Sequence, residues 1–223
     1  MLTVIYVRIP PRESYPELLS ALERGASPEL LREVEAFRNP GRKVCRLLGE
    51  ALVRHYLRSM EASPNSREVK RGEKGKPYFV GVDHLFFNIS HSGDYVVASF
   101  SDREVGVDIE RRRVARMEVA RRFFHPEERR HLQEMETSER DHRFFDYWSI
   151  KESYLKYTGT GLTRPLSTFR VALEQENIRL YEQETPLPLF VYPCLIDQGY
   201  ACFVCGESTQ PPVVREVEIA RLL

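Results

Sequence analysis

The side chains best suited to chemistry in this sequence are carboxylates in two separate stretches. In Val105-Gly106-Val107-Asp108-Ile109-Glu110 the odd positions are apolar and the even ones are glycine, aspartate and glutamate. Side chains alternate between faces along a strand, so Val105, Val107 and Ile109 enter a core together. Asp108 and Glu110 then emerge side by side, next to a glycine that leaves open space. Two like charges at that spacing raise each other's pKa unless something positive lies between them. The second stretch is Trp148-Ser149-Ile150-Lys151-Glu152-Ser153-Tyr154-Leu155-Lys156, where Trp148, Glu152 and Lys156 share one helix face. Asp108, Glu110 and Glu152 offer only oxygen, which suits a hard cation, and Mg2+ bound this way keeps places for waters and phosphates. Lys156, one turn beyond Glu152, would neutralise phosphate or leaving-group charge. A bare D-x-E on an edge strand is more commonly a solvated face. The tryptophan-bearing helix shifts the balance toward a magnesium ion carrying a phosphorylated ligand.

Other stretches are weaker alone. Gly72-Glu73-Lys74-Gly75-Lys76-Pro77 has exposed amides and two amines, fit for a phosphate, although surface loops often look the same. Asn88-Ile89-Ser90-His91-Ser92-Gly93 brings a hydroxyl and an imidazole to a tight hairpin end, where His91 reads equally well as a turn-satisfying side chain. Cys45, Cys194, Cys202 and Cys205 could mean zinc or disulfides. Cys202 and Cys205, however, lie three apart in an expected strand and point to opposite faces, which favours ordinary buried or half-buried thiols. Between residues 111 and 130, eight arginines face three glutamates, a net charge of +5. That run is either a solvated face or a docking patch. A nucleic-acid reading lacks an aromatic stacking platform and global basicity.

The elements that must position these groups follow from periodicity. A strand is expected over residues 2–9, ended by Pro10-Pro11. Helices follow in PELLSALER and in SPELLREVEAF, the latter with Ser27 as N-cap and Pro28 at its first position. After a break at Asn39-Pro40-Gly41, the stretch RKVCRLLGEALVRHYLRSM has a clear helical period. A β-meander of LFFNI, YVVASFS and VGVDIE comes next, and then helices in ARMEVARRFF, HPEERRHLQEM and DHRFFDYWSIKESYLKYTG. The tail reads as strands TFRVAL, IRLYEQ, LFVYPCLI and YACFVCG. Helix then sheet, twice over, predicts an α+β protein of two similar halves, 1–105 and 106–223. LLGEALVRHYL and SIKESYLKYTG align Glu50 with Glu152 and Arg54 with Lys156. Such acid–base pairs are common on surface helices, so a true duplication stays open.

With 223 residues, 42% apolar and 30% charged, the chain reads as a soluble globular protein with room for a substantial core. Zero net charge argues against a polyanion such as nucleic acid. The first ten residues are too short an apolar run for a signal peptide, and nothing approaches a transmembrane length. No membrane partner and a cytoplasmic location are therefore expected.

Taken in order, GKP, FNISHSGDYVVA, VGVDIE and WSIKESYLKYTGTGL resemble the motifs of the Sfp-type 4′-phosphopantetheinyl transferases. The match spans about residues 75–165, and LLGEALVR with the strand-rich tail extends it over nearly the whole chain. The resemblance implies two α/β halves related by pseudo-twofold symmetry, each a small antiparallel sheet packed with helices, in a monomer. It implies an enzyme that moves the 4′-phosphopantetheine arm of coenzyme A, its co-substrate, onto a serine of an apo acyl or peptidyl carrier protein. Such carriers serve fatty-acid, polyketide or nonribosomal-peptide synthesis, and adenosine 3′,5′-bisphosphate is released. Asp108, Glu110 and Glu152 match the Mg2+ ligands, Glu152 also the general base, and Lys156 the lysine that contacts phosphate and assists the leaving group. Gly75, Lys76, Pro77, Ser90 and His91 match coenzyme A contacts. The chain departs from the pattern in its first helical region, where Leu30 and Cys45 stand at places expected to be basic; Arg46, Arg42 or Lys43 would have to substitute. Carrier proteins present acidic helices, which predicts docking near Arg112, Arg113, Arg116, Met117, Phe123 and Phe124. The rival activity is a Mg2+-dependent nucleotide or coenzyme A phosphohydrolase, in which water replaces the serine. A non-catalytic binding module has no physical need for three clustered carboxylates.

Overall fold

The computed structural model describes residues 1–60, 69–72, 76–80, 84–173 and 177–223. Its organising strand is β5 (Tyr95–Ser101), buried along its whole length, as its apolar run requires. β1 (Thr3–Arg8) and β4 (Phe86–Ser92) flank it antiparallel, and β12 (Val213–Glu216) adds to the far edge of β1 in parallel. One face of this sheet, with Val96, Ala98 and Phe100, packs under α1 (Tyr15–Arg24), α2 (Pro28–Glu35) and α3 (Pro40–Ser59). Asn39 starts α3 by accepting from the Gly41 amide at 2.8 Å, and Ser27 caps α2 as its sequence position predicts.

The other face, with Leu2, Val4 and Val97, meets a second sheet through Val105, Val107 and Ile109 of β6 (Val105–Arg111) and Cys202 and Val204 of β11 (Tyr200–Gly206). That sheet is antiparallel, in the order β10-β11-β6, with β10 spanning Phe190–Pro193. Ala201, Phe203 and Cys205 on its far side pack on α6 (Thr137–Thr158), joined by residues of α4 (Met117–Phe123) and α5 (Pro126–Gln133). The molecule is thus layered helix, sheet, sheet, helix, a mixed α+β arrangement of two similar halves. The parallel β12 is an addition to the antiparallel sheets expected. Smaller sheets pair β2 (Val69–Arg71) with β3 (Pro77–Phe79), and β7 (Phe169–Leu173) with β8 (Ile178–Glu182) and β9 (Thr185–Pro186).

The expected meander is corrected at its third strand. β6 does not pair with β5, because β1 already holds that edge; β6 pairs with β11 instead. Behind α6 lies a fully buried ion pair, Lys151 to Glu128 at 2.8 Å. Lys151 also donates to the carbonyls of Leu166 and Phe169, and Glu128 accepts from the Val171 and His125 amides, so both charges are satisfied. All four cysteines are free. Among the described residues no helix is long and apolar enough to cross a membrane.

Candidate active site

The site forms where α6 lies across β6. A Cβ at Gly106 would stand 2.1 Å from the Ser153 carbonyl oxygen and 2.3 Å from the Tyr157 nitrogen, so helix backbone rests on strand backbone there. The space beside this glycine, open to a ligand in the sequence reading, is filled by the helix. From that contact α6 runs antiparallel to β6. Ser149 Oγ donates to the Asp108 carbonyl at 3.0 Å, and the Trp148 indole lies near enough to Glu110 to pull its pKa down. Asp108, Glu110 and Glu152 are thereby turned toward one another.

Asp108 is only 4% exposed. Its Oδ1 accepts from Ser90 Oγ at 2.9 Å and from Lys156 Nζ at 2.7 Å, while its Oδ2 is buried with no hydrogen-bond partner among the described residues. Glu110 accepts from Ser92 Oγ at 3.1 Å, and burial together with Asp108 raises its carboxyl above the usual range. Glu152 makes no hydrogen bond among the described residues. Burial, then Asp108 and Glu110, push its carboxyl up to about 7, with Lys156 pulling the other way. An all-oxygen set with one orphaned buried oxygen and two strained carboxyls fits a hard divalent cation. As the side chains stand, Lys156 holds Asp108, and among the described residues no three His, Cys, Asp or Glu side chains form a ready metal shell.

The remaining expected contacts divide. Ser90 is buried on Asp108; His91, next along β4, is exposed. Although the residue keeps solvent-facing surface, protein atoms crowd the His91 ring, and that partial loss of water, then Lys156 and Arg42, push its pKa below the ordinary value. Lys76 does not present a free ammonium: it donates to Glu104 and to the carbonyls of Val105 and Tyr157, tying the start of β6 to the end of α6. Pro77 opens β3, and Gly75 lies outside the described residues. Arg46, the expected coenzyme A contact, is paired here with Glu33 through two bonds at 3.0 and 2.8 Å. Arg42 is exposed over the Phe37 ring and, like Lys156, lies close enough to His91 to act on it.

The docking patch is corrected in two places. Arg112 is spent on the Tyr200 and His142 carbonyls and on Asp146 at 2.7 Å, and Phe124 is 1% exposed in the core behind α6. Arg113, Arg116 and Phe123 are exposed, and Met117 is half-buried. Sequence reasoning passed over Asn88 and Ser92 as site residues. The available signal was polar side chains at every second position, 88, 90 and 92, of a strand whose other face carries Phe87 and Ile89.

Residues 17–102 match the family described as 4′-phosphopantetheinyl transferase, N-terminal, and residues 104–205 match the 4′-phosphopantetheinyl transferase superfamily. Over 207 residues, 92% of this chain and 86% of the relative, the sequence is 34% identical to the 4′-phosphopantetheinyl transferase gsp of Aneurinibacillus migulanus. The chain belongs to this transferase family. It is also 35% identical to the transferase psf-1 of Bacillus pumilus, covering 78% of this chain and 74% of that one. To the transferase Sfp of Bacillus subtilis (strain 168) it is 34% identical, over 74% and 75% of the two chains. The transferase's carboxylate cluster lies at 108–152, inside the second matched segment, and Ser90, His91 and Arg42 lie inside the first.

Proposed function

We propose that this transferase moves the 4′-phosphopantetheine arm of coenzyme A onto a serine hydroxyl of an apo acyl or peptidyl carrier protein. The observation that carries the reading is Glu152, which makes no hydrogen bond among the described residues, stands one turn from Lys156 and lies close to Asp108 and Glu110. The serine oxygen bonds to the phosphorus that bears the arm, and the P–O bond to adenosine 3′,5′-bisphosphate breaks. The serine proton goes to Glu152, directly or through a water. Lys156 meets the charge that departs with the bisphosphate. Asp108, Glu110 and Glu152 would hold Mg2+, which supplies charge neutralisation across the pyrophosphate. His91 and Arg42 bind phosphate oxygens of coenzyme A from the α3 side. Arg113, Arg116, Met117 and Phe123 receive the acidic carrier, and the protein acts as a cytoplasmic monomer.

The test is to incubate the protein with coenzyme A, Mg2+ and a panel of apo carriers and to weigh each carrier. A mass gain of one phosphopantetheine arm is the expected result. Breakdown of coenzyme A with no gain on any carrier would instead mean that water takes the serine's place.

A further inference from the structure

We propose that Ser92 is a positioning residue that aims Glu110, acting with Asn88 and Ser90 as a side-chain ladder between the two halves of the site. The idea rests on the function above only in what the carboxylates are for.

β6 is paired along one edge with β11, and along the other its amides have no strand partner among the described residues. They are met by side chains. Asn88 Oδ1 accepts from the Val107 amide at 3.1 Å, Ser90 Oγ from Ile109 at 3.4 Å, and Ser92 Oγ from Arg111 at 3.1 Å. The rungs advance two residues on each strand, so β4 and β6 run side by side in parallel with these side chains in the gap. A hydroxyl has one proton to give and two lone pairs to receive. Each serine takes the amide of one residue and gives its proton to the carboxylate of the residue before it. Ser90 holds Ile109 and Asp108, with Lys156 on its second lone pair at 2.8 Å; Ser92 holds Arg111 and Glu110. The first rung has no carboxylate to hold, since the residue before Val107 is Gly106, where α6 sits.

The polar positions 88, 90 and 92 thus match 106, 108 and 110 one for one. A backbone ladder would fix the distance between the two sheets and leave the carboxylates free to turn. This ladder sets both with the same atoms. Outer partners of metal-binding carboxylates act in this way, orienting the oxygens that a cation meets.

The experiment measures Mn2+ binding from the paramagnetic resonance of free Mn2+ in the presence of coenzyme A, alongside thermal unfolding without metal. Ser92→Ala should weaken Mn2+ binding by roughly 10–100-fold, the usual loss for an outer partner. Ser92→Thr, which keeps the hydroxyl, should restore most of it. In a Glu110→Gln background Ser92→Ala should add no further loss, because its route to the metal is already gone. A Ser92→Ala protein with a lower melting temperature and unchanged Mn2+ affinity would overturn the proposal, as would losses that add fully in the double variant. If Ser92→Ala does not fold, Ser92→Cys carries the same expectation, its thiol being a poor donor, and wild-type Mn2+ affinity there overturns the idea. A wild-type protein that binds Mn2+ through the Ser92–Glu110 pair yet transfers no arm would leave the ladder standing and remove the proposed reaction.

Discussion

The two long helices carry the same acid–base spacing and put it to different uses. In α3, Arg54 donates to Glu50 at 2.9 Å, and Glu50 also accepts from the Ser27 amide at 3.2 Å, bracing the start of α2. Both charges serve structure. In α6 the equivalent lysine turns away from its own helix: Lys156 binds Asp108 and Ser90, and Glu152 keeps no hydrogen bond. The difference lies in what each helix faces. α3 meets a backbone amide of α2, while α6 meets a strand presenting two more carboxylates. A helical E-x-x-x-K/R pattern therefore states a spacing, and its neighbours decide whether the two charges pair with each other or turn to another element.

The sharpest way to break this contrast is to neutralise each glutamate. Glu152→Gln should leave the fold intact and cut turnover by about 10²–10⁴-fold, the range for a general base. Glu50→Gln should leave turnover alone and lower stability by about 1–3 kcal/mol through the half-satisfied Arg54. Equal losses of turnover in steady-state assays would mean that the two pairs do the same job.

A second contrast concerns how closely each half packs. An added Cβ at Gly106 meets helix backbone, whereas at Gly49 it meets the Ile89 side chain at 3.0 Å. Gly106→Ala should cost about 3 kcal/mol or more and abolish activity by lifting α6 off the strand. Gly49→Ala should stay within about 1 kcal/mol of wild type, because Ile89 can shift and alanine favours the helix. Denaturant titration separates them, and a mild Gly106→Ala would contradict the close approach. At the carrier surface, charge reversal of Arg113 and Arg116 should raise KM for the carrier roughly tenfold and leave that for coenzyme A in place. An equal rise in both would remove the docking patch.

The smallest effect is on pH. Glu152 is held near 7 in the folded protein against an ordinary 4.5, so the native state keeps a proton that the unfolded chain has released between those values. Stability of the metal-free protein should fall as pH rises through that window, and Glu152→Gln should flatten the slope. A melting temperature that climbs from pH 5 to 7 and is unaffected by Glu152→Gln would contradict the assignment.

Much of this was legible in the sequence, for reasons that sort by residue. Asp108, Glu110, Glu152 and Lys156 could be grouped because strand and helix periods are strict, and α2, α3 and α6 showed their caps or stripes. The third meander strand was misplaced because a short turn predicts pairing with its neighbour, and nothing local reveals that β1 has taken that edge. β12 was passed over because Pro211 and Pro212 precede it and its residues Val213–Glu216 lack alternation. Arg46, Arg112 and Lys76 looked like free cations, since their partners Glu33, Asp146 and Glu104 lie elsewhere in the chain. Nothing local marked Lys151 and Glu128 as a buried pair, for the same reason. Spacing reports which face a residue occupies, and pairing across the fold decides whether its charge is available.

The most direct measurement is a crystal grown with coenzyme A and Mn2+, examined for the anomalous signal of the metal. The account predicts one peak at roughly 2.0–2.2 Å, the usual metal–oxygen distance, from carboxylate oxygens of Asp108, Glu110 and Glu152, with Lys156 withdrawn from Asp108 onto phosphate. A peak elsewhere, or none while Lys156 still grips Asp108 beside bound coenzyme A, would contradict it.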